Sequence, residues 1–343
     1  MPETMKVLLD RTHALLLCAA LFVSACSTAT VPAPEITTAP FDSAFSAVVG
    51  VYANIPETAR TADSLGVQRQ GSGVLIDNDG LILTIGYLIL EADEIAVVGP
   101  QGNQIEANLV AYDHTTGFGL IRAREPVGAT ALKMGSSKSL NDGTPVLAVS
   151  FGGPDAIVAA QVVSRRSFAG YWEYLLEKAI FTMPPHHEFG GAALIDRKGE
   201  LVGIGSLLVN DAIVADHPVI GNMFVPIDDL KPIIADLVAS GRRKPPVPPW
   251  LGLNTDEAQG RVFITRLSEG GPAEQAGLKR GDIIIGVGGR RIGTMLEFFR
   301  KVRIQGNAGS PIQLDILSAA STDLTIKKIN IKSIDRYDWL LGH

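Results

Sequence analysis

The sequence predicts a mainly β protein in which two similar barrel-like halves are followed by a smaller β-rich domain. Between residues 41 and 241, short runs of Val, Ile and Leu are broken every eight to twelve residues by Gly, Asp or Asn, a spacing typical of barrels and sandwiches. The segments LIDNDGLILTIG (75–86) and LIDRKGELVGIG (194–205) echo each other, which favours a repeated half-domain. Each predicts a hairpin whose turn ends on a glycine, Gly80 or Gly199, that can adopt a positive φ.

Length and composition agree with a folded, multidomain chain. The 343 residues are 46% hydrophobic and 19% charged, enough for two or three compact domains. The net charge of −6 argues against a nucleic-acid partner, because there is no basic excess to neutralise phosphates. The basic run Arg242-Arg243-Lys244 is interpreted as solvating a linker. No cluster of Cys and His indicates a metal or another cofactor.

Residues 1–25 predict a signal peptide, because a weakly basic start is followed by an apolar run, HALLLCAALFVSA, that is too short to span a bilayer. The run ends in VSAC, which resembles a bacterial lipobox. That resemblance implies cleavage before Cys26 and lipidation of its sulfur. An ordinary signal peptide with a chance cysteine is the alternative.

The following residues, 26–40, are rich in Pro, Thr and Ala and predict an extended tether. Since Cys18 leaves with the signal, Cys26 is the one cysteine of the mature chain, and no internal disulfide is expected. By resemblance to other lipoproteins, Ser27 after the lipidated cysteine favours the outer membrane, with the protein facing the periplasm.

A helix is predicted to close the barrel region, within IDDLKPIIADLVASG (227–241), where apolar residues recur at helical spacing. Pro232 is tolerated only near a first turn, so the helix is expected to begin close to Asp229 and to be capped by Gly241. The proline-rich segment 242–249 is a linker. The remainder, 250–338, predicts a hairpin with a Gly-Gly turn, a short helix at 272–278 and an amphipathic helix at 293–305.

Three segments carry a resemblance to a known family: GSGVLIDNDGLILTIGYLI, YDHTTGFGLIRA and NMFVPIDDLKPII. Together with the C-terminal region they resemble the HtrA/Deg serine proteases over roughly residues 41 to 338. The resemblance implies a chymotrypsin-like double β-barrel over 41–241 and a PDZ domain over 250–338.

The family's catalytic triad is substituted at every position. Its histidine falls on Tyr87, its aspartate on Gly117, and its nucleophilic serine on Gly190, or on Phe189 if the register shifts by one. Glycine offers no atom to attack a carbonyl, and a phenol that titrates near pH 10 in small peptides is a poor base at neutral pH. Losing the nucleophile or base alone costs about a millionfold in turnover in a related triad. The sequence therefore predicts a pseudoprotease.

Six other polar residues lie in or near these segments: His114, Ser150, Ser164, His186, His187 and Glu188. Adjacent histidines can bind a metal, but neighbouring side chains often point apart, and a solvated loop is the favoured interpretation. The serines are interpreted as ordinary strand and turn residues. Phe189 is expected to plug the vacated pocket.

The motif Trp250-Leu251-Gly252-Leu253 looks like the carboxylate-binding loop of a PDZ domain. Backbone N–H groups beside a small glycine can bind a terminal carboxylate, and the peptide then adds as a strand. The helix at 293–305 would form the other wall of the groove, although its apolar residues could equally be core. The candidates are Leu296, Phe299 and Val302.

Three functions remain open. The first is a lipid-anchored adaptor or regulator that binds peptide C-termini or unfolded envelope proteins. The second is an endopeptidase that uses an unorthodox site, and the third is a scaffold with no ligand.

The segment 41–55 resembles the trimerisation segment of the family, with Phe41, Phe45 and Tyr52 as candidate contacts of a homotrimer. The alternative is that these residues pack on their own barrel.

Overall fold

The computed structural model describes residues 39–320 and 324–341. The predicted signal peptide, Cys26 and the tether up to residue 38 lie outside the described residues. Within the described part, no helix is long and apolar enough to cross a bilayer.

The first barrel is closed and six-stranded, with neighbours in the order β1-β2-β3-β6-β5-β4. Its strands are β1 Val48–Asn54, β2 Gln68–Leu75, β3 Leu81–Ile85, β4 Glu94–Val98, β5 Gln104–Tyr112 and β6 Phe118–Ala123. Two short helices accompany it, α1 Ala39–Ser46 before β1 and α2 Ala62–Leu65 before β2.

The second barrel is also closed and six-stranded, in the order β7-β8-β9-β12-β11-β10. Its strands are β7 Pro145–Val149, β8 Ile157–Gly170, β9 Tyr174–Met183, β10 Ala193–Ile195, β11 Leu201–Val209 and β12 Gly221–Pro226. The connectivity is therefore the same in both barrels, which confirms the predicted mainly β fold with two similar halves.

The sequence echo, however, does not mark equivalent hairpins. The first of the two similar segments forms the second and third strands of the first barrel, whereas the other segment forms the fourth and fifth strands of the second barrel. What the segments share is turn chemistry. One carboxylate oxygen of Asp77 accepts the N–H groups of Asp79 and Leu81, and Asp196 does the same for Lys198 and Glu200.

The helix that closes the barrels begins later than predicted. A 3₁₀ turn spans Ile227–Asp229, and α3 runs only over Ile234–Ser240. Pro232 thus lies in the turn before the helix rather than inside it, because it has no N–H to donate. The C-terminal cap is as predicted, with Gly241 at φ 73° donating its N–H to the Leu237 carbonyl at 2.9 Å.

The C-terminal domain is a sheet in the order β13-β14-β15-β17-β18, with β16 paired to β15. Its strands are β13 Leu253–Ala258, β14 Arg261–Leu267, β15 Ile283–Val287, β16 Arg290–Arg291, β17 Pro311–Leu317 and β18 Ile326–Lys332. Its helices are α4 Pro272–Gln275, α5 Met295–Gln305 and α6 Arg336–Leu341. Since β13 ends the sheet order, it has a neighbouring strand on one edge only.

Two contacts tie the C-terminal part to the first barrel, and the sequence predicted neither. The Tyr337 hydroxyl on α6 lies 2.9 Å from the Tyr112 carbonyl and 2.8 Å from the Gly241 carbonyl. Arg243 does not simply solvate the linker, because its guanidinium donates twice to the buried Asp113, at 2.7 and 2.8 Å. That part of the expectation for the basic run is wrong.

The candidate trimer segment packs mainly on its own barrel. Phe41 is buried, Phe45 packs against the same core, and the two rings stack 6.2 Å apart. Tyr52 is exposed. The alternative interpretation therefore fits both phenylalanines.

Candidate functional site

The fold brings the three triad-equivalent positions together. Tyr87 follows β3 in a 3₁₀ turn, and the preceding Gly86 donates its N–H to the Gly117 carbonyl at 2.7 Å. A β-carbon added to Gly190 would lie 3.1 Å from the Tyr87 hydroxyl oxygen. Tyr87 therefore points at the position where a serine would stand.

The residues at this place are a tyrosine and two glycines. The Tyr87 hydroxyl donates to the Ser206 carbonyl at 3.0 Å, and burial raises its pKa above the usual range of a phenol. It keeps its proton at neutral pH and cannot act as a general base. A side chain at Gly117 would meet the Tyr174 hydroxyl at 3.1 Å, so a tyrosine covers the position of the orienting carboxylate.

The loop around Gly190 keeps a defined backbone conformation. The Gly190 carbonyl accepts the N–H of Ser72 at 2.8 Å, and Gly191 donates its N–H to Gly205 at 2.9 Å. Gly191 has φ 75°, and an added β-carbon there would lie 1.9 Å from the Ser72 carbonyl oxygen. Only glycine fits this position. Phe189 is partly buried beside it.

Ser150 and His186, 36 positions apart, form a pair that the sequence did not connect. The Ser150 Oγ lies 2.7 Å from the His186 Nε2, and both residues are buried, at 3% and 4% exposure. Burial lowers the pKa of His186, so its ring is neutral at pH 7 and can accept the hydroxyl proton. The burial of Ser150 leaves little access for a substrate carbonyl.

The remaining polar candidates do not join this pair in one site. His114 packs between the rings of Tyr112 and Tyr337, and burial, aided by Arg336, lowers its pKa well below the usual value. His187 and Glu188 are exposed beside Phe189, and Ser164 lies on β8. Within residues 39–320 and 324–341, no three His, Cys, Asp or Glu residues are placed to hold a metal ion.

The motif at 250–253, hereafter the carboxylate loop, binds the side-chain carboxylate of another residue of the same chain. The backbone N–H of Leu251 donates to Glu173 Oε2 at 2.9 Å, and those of Gly252 and Leu253 donate to Glu173 Oε1 at 2.7 and 2.8 Å. Trp250 instead packs on Trp339, with ring centroids 4.9 Å apart, and exchanges backbone hydrogen bonds with Ile334. Three of the four predicted loop residues thus contact a carboxylate.

Glu173 lies in the turn that joins β8 to β9, in the second barrel. Burial raises the pKa of its carboxyl group to about 7, although the three N–H donors and Arg336 lower it. No sequence pattern predicts this contact, because the loop and the glutamate are 78 to 80 positions apart.

Of the predicted groove wall on α5, Phe299 and Val302 are buried in the core of the C-terminal domain. Leu296 is only partly buried. Two arginines of the helix contact the β8–β9 hairpin: Arg303 donates to the Leu175 carbonyl at 3.1 Å, and Arg300 pairs with Glu177 at 2.5 Å.

Comparison with known families matches two parts of the chain. Residues 71–204 match the model of a trypsin-like peptidase domain, and residues 263–317 match that of a PDZ domain. These matches agree with the fold predicted from the sequence.

Among curated proteins, the chain is 29% identical over 250 residues to the serine endoprotease DegS of Haemophilus influenzae, covering 70% of this chain and 71% of that protein. It is 30% identical over 263 residues to the periplasmic serine endoprotease DegP of Escherichia coli K12, covering 72% of this chain but 54% of DegP.

Solved structures show the same architecture. The HtrA-type protease AlgW, determined with a tripeptide, superposes with a TM-score of 0.53 at 18% identity, covering 88% of this chain and 97% of that one. A serine endoprotease from Yersinia pestis superposes with a TM-score of 0.52 at 22% identity, covering 86% and 96%. At these identities the likeness extends to the fold alone.

Proposed function

Because the chain joins a trypsin-like domain of the HtrA/Deg family to a C-terminal PDZ domain, we propose that it is a catalytically inactive, peptide-binding relative of those proteases. It would bind the C-termini of peptides or unfolded proteins in the bacterial cell envelope and act as an adaptor or regulator. The observation that carries the inactivity is the convergence of Tyr87, Gly117 and Gly190 at one place with no nucleophile or base among them.

The observation that supports peptide binding is the carboxylate loop. Three consecutive backbone N–H groups converge on one carboxylate, which is the recognition a free C-terminus requires. Beside them β13 offers an edge strand that a peptide can extend.

We expect the purified protein to show no labelling by a fluorophosphonate probe and no hydrolysis of casein above the buffer background. Gly190→Ala should be indistinguishable from the wild type, since Gly190 supplies no reacting atom. Labelling of pure wild-type protein that maps to one side chain would contradict the proposal.

One observation favours a second candidate, an endopeptidase with an unorthodox site. It is the hydrogen bond between Ser150 and a neutral His186, which is the arrangement of a nucleophile and its base. If the probe does label the protein, Ser150→Ala should abolish labelling while the matched Ser164→Ala should not.

The proposed membrane anchor depends on Cys26. Several acyl chains hold a protein on a bilayer far more firmly than one, so a lipidated protein should sediment with membranes. We expect Cys26→Ser to move most of the protein into the soluble fraction, as followed by immunoblotting of fractionated cells expressing the full chain. A Cys18→Ser variant is the matched control and should remain in the membrane fraction. Retention of both variants would refute the lipid anchor.

A further inference from the structure

The tip of the β8–β9 hairpin (residues 169–175, hereafter the hairpin tip) contacts the PDZ domain in three separate ways, and each has a counterpart in a bound peptide. The first is the Glu173 carboxylate in the carboxylate loop, where both of its oxygens accept backbone N–H groups. Charge-assisted bonds of this kind are stronger than bonds between neutral groups.

The second contact is a backbone hydrogen bond at the free edge of β13. The N–H of Thr255 on β13 donates to the Tyr171 carbonyl at 2.9 Å. The other edge of β13 pairs with β14, so the Tyr171 carbonyl takes one hydrogen-bonding position on the edge that a peptide would extend.

The third contact is apolar. Leu175, which belongs to β9, is 3% exposed and packs in the core cluster of the PDZ domain together with Leu251, Leu253 and Phe299. A bound peptide places an apolar side chain beside its carboxylate in the same manner. On the far side of the hairpin tip, Arg303 of α5 holds the Leu175 carbonyl.

Two features distinguish this arrangement from ordinary domain packing. Glu173 is a non-glycine residue at φ 61°, a left-handed conformation that is disfavoured for residues with a β-carbon. Burial also disfavours the charged form of its carboxyl group and raises its pKa. Both costs favour an open state, so the contact is suited to displacement.

We propose that the hairpin tip is an internal ligand of the PDZ groove, and that a peptide C-terminus binds only by displacing Glu173 from the carboxylate loop. The inference rests on the proposed peptide-binding function and deepens it. It makes binding and movement of the β8–β9 hairpin mutually dependent, because the occupant is part of the second barrel. A peptide that enters the groove would thereby release a segment of the trypsin-like domain.

The test compares Glu173→Gln with the wild type in the full chain freed of its signal. Glutamine keeps the size of the side chain but replaces one accepting oxygen with a donor, so at least one of the three N–H groups loses its partner. Glu177→Gln is the matched control, since it removes the same charge from the same hairpin and its pairing with Arg300 is exposed.

The first readout is the affinity for a fluorescent peptide with an apolar free C-terminus, measured by anisotropy, with the amidated peptide alongside. If Glu173 is out of the carboxylate loop in about one wild-type molecule in ten, opening the groove fully in Glu173→Gln should lower the apparent Kd for the peptide roughly tenfold. Glu177→Gln should change the affinity by less than about threefold. Equal affinity of Glu173→Gln and the wild type would overturn the inference.

The second readout is amide hydrogen exchange at Leu251–Leu253 and Thr255, which needs no peptide. We expect faster exchange there in Glu173→Gln and unchanged exchange in the first barrel; equal exchange in both proteins would also overturn the inference. If neither protein distinguishes the free from the amidated peptide, the peptide-binding function is wrong. Exchange then decides separately whether Glu173 closes the groove.

Discussion

Replacing Gly191 by alanine will destabilise the protein severely, whereas the same change at the neighbouring Gly190 will be tolerated. At Gly191 the new β-carbon would lie 1.9 Å from the Ser72 carbonyl oxygen and 2.7 Å from the Thr84 hydroxyl. The first of these is a backbone atom of β2, a strand held by its pairing with β1 and β3. The positive φ adds roughly 1–2 kcal/mol of strain. We expect a loss of more than about 4 kcal/mol in the free energy of unfolding, the range of exceptional single substitutions.

At Gly190 the nearest atom to a new β-carbon is the Tyr87 hydroxyl at 3.1 Å, at the end of a side chain that can shift. The expected change is within about 1 kcal/mol. Urea denaturation of both variants, followed by far-ultraviolet circular dichroism, measures the difference. Equal midpoints would show that the loop is not held against β2 as described.

The two glycines differ in what their lack of a side chain does. Gly191 preserves the backbone path of the loop, while Gly190, one residue earlier, stands where a nucleophile is required. The backbone path of the loop therefore depends on Gly191, and the proposed loss of catalysis depends on the missing side chain at Gly190.

Much of the fold could be predicted because its signals are local. The hairpin turns at Asp77 and Asp196 and the cap at Gly241 each depend on residues within five positions. The helix before Gly241 begins later than its apolar spacing predicts, because Pro232 has no N–H to donate and residues 230–233 form a turn ahead of α3. The spacing of apolar residues indicates which side chains face the core, but it does not indicate which backbone N–H groups donate hydrogen bonds.

The candidate site divides in the same way. Tyr87, Gly117 and Gly190 were predicted as triad-equivalent positions through the resemblance to a family, whose motifs are short and continuous in sequence. The Ser150–His186 pair and the contact of Glu173 with the carboxylate loop could not be predicted, because they join distant segments through tertiary packing. A glutamate in a left-handed turn has no sequence signature of its own.

The contact between the linker and the first barrel should be among the most important ion pairs for stability. Asp113 is 2% exposed and accepts four hydrogen bonds, two from Arg243 and two from the N–H and hydroxyl of Thr116. Asp113→Ala would leave the Arg243 guanidinium, 20% exposed, without its carboxylate. Removing one partner of a buried pair typically costs 3–5 kcal/mol, so we expect a loss of about 3 kcal/mol in the free energy of unfolding.

The matched control is Glu106→Ala, which removes a carboxylate from an equally short pair with Arg124 whose side chains are 54% and 75% exposed. An exposed pair contributes at most about 1 kcal/mol, and salt weakens it further. Urea denaturation at low and high salt compares the two variants. If both lose the same small amount, the Arg243 contact is dispensable for stability. If only Asp113→Ala is strongly destabilised, the Asp113 carboxylate holds the linker on the first barrel through Arg243.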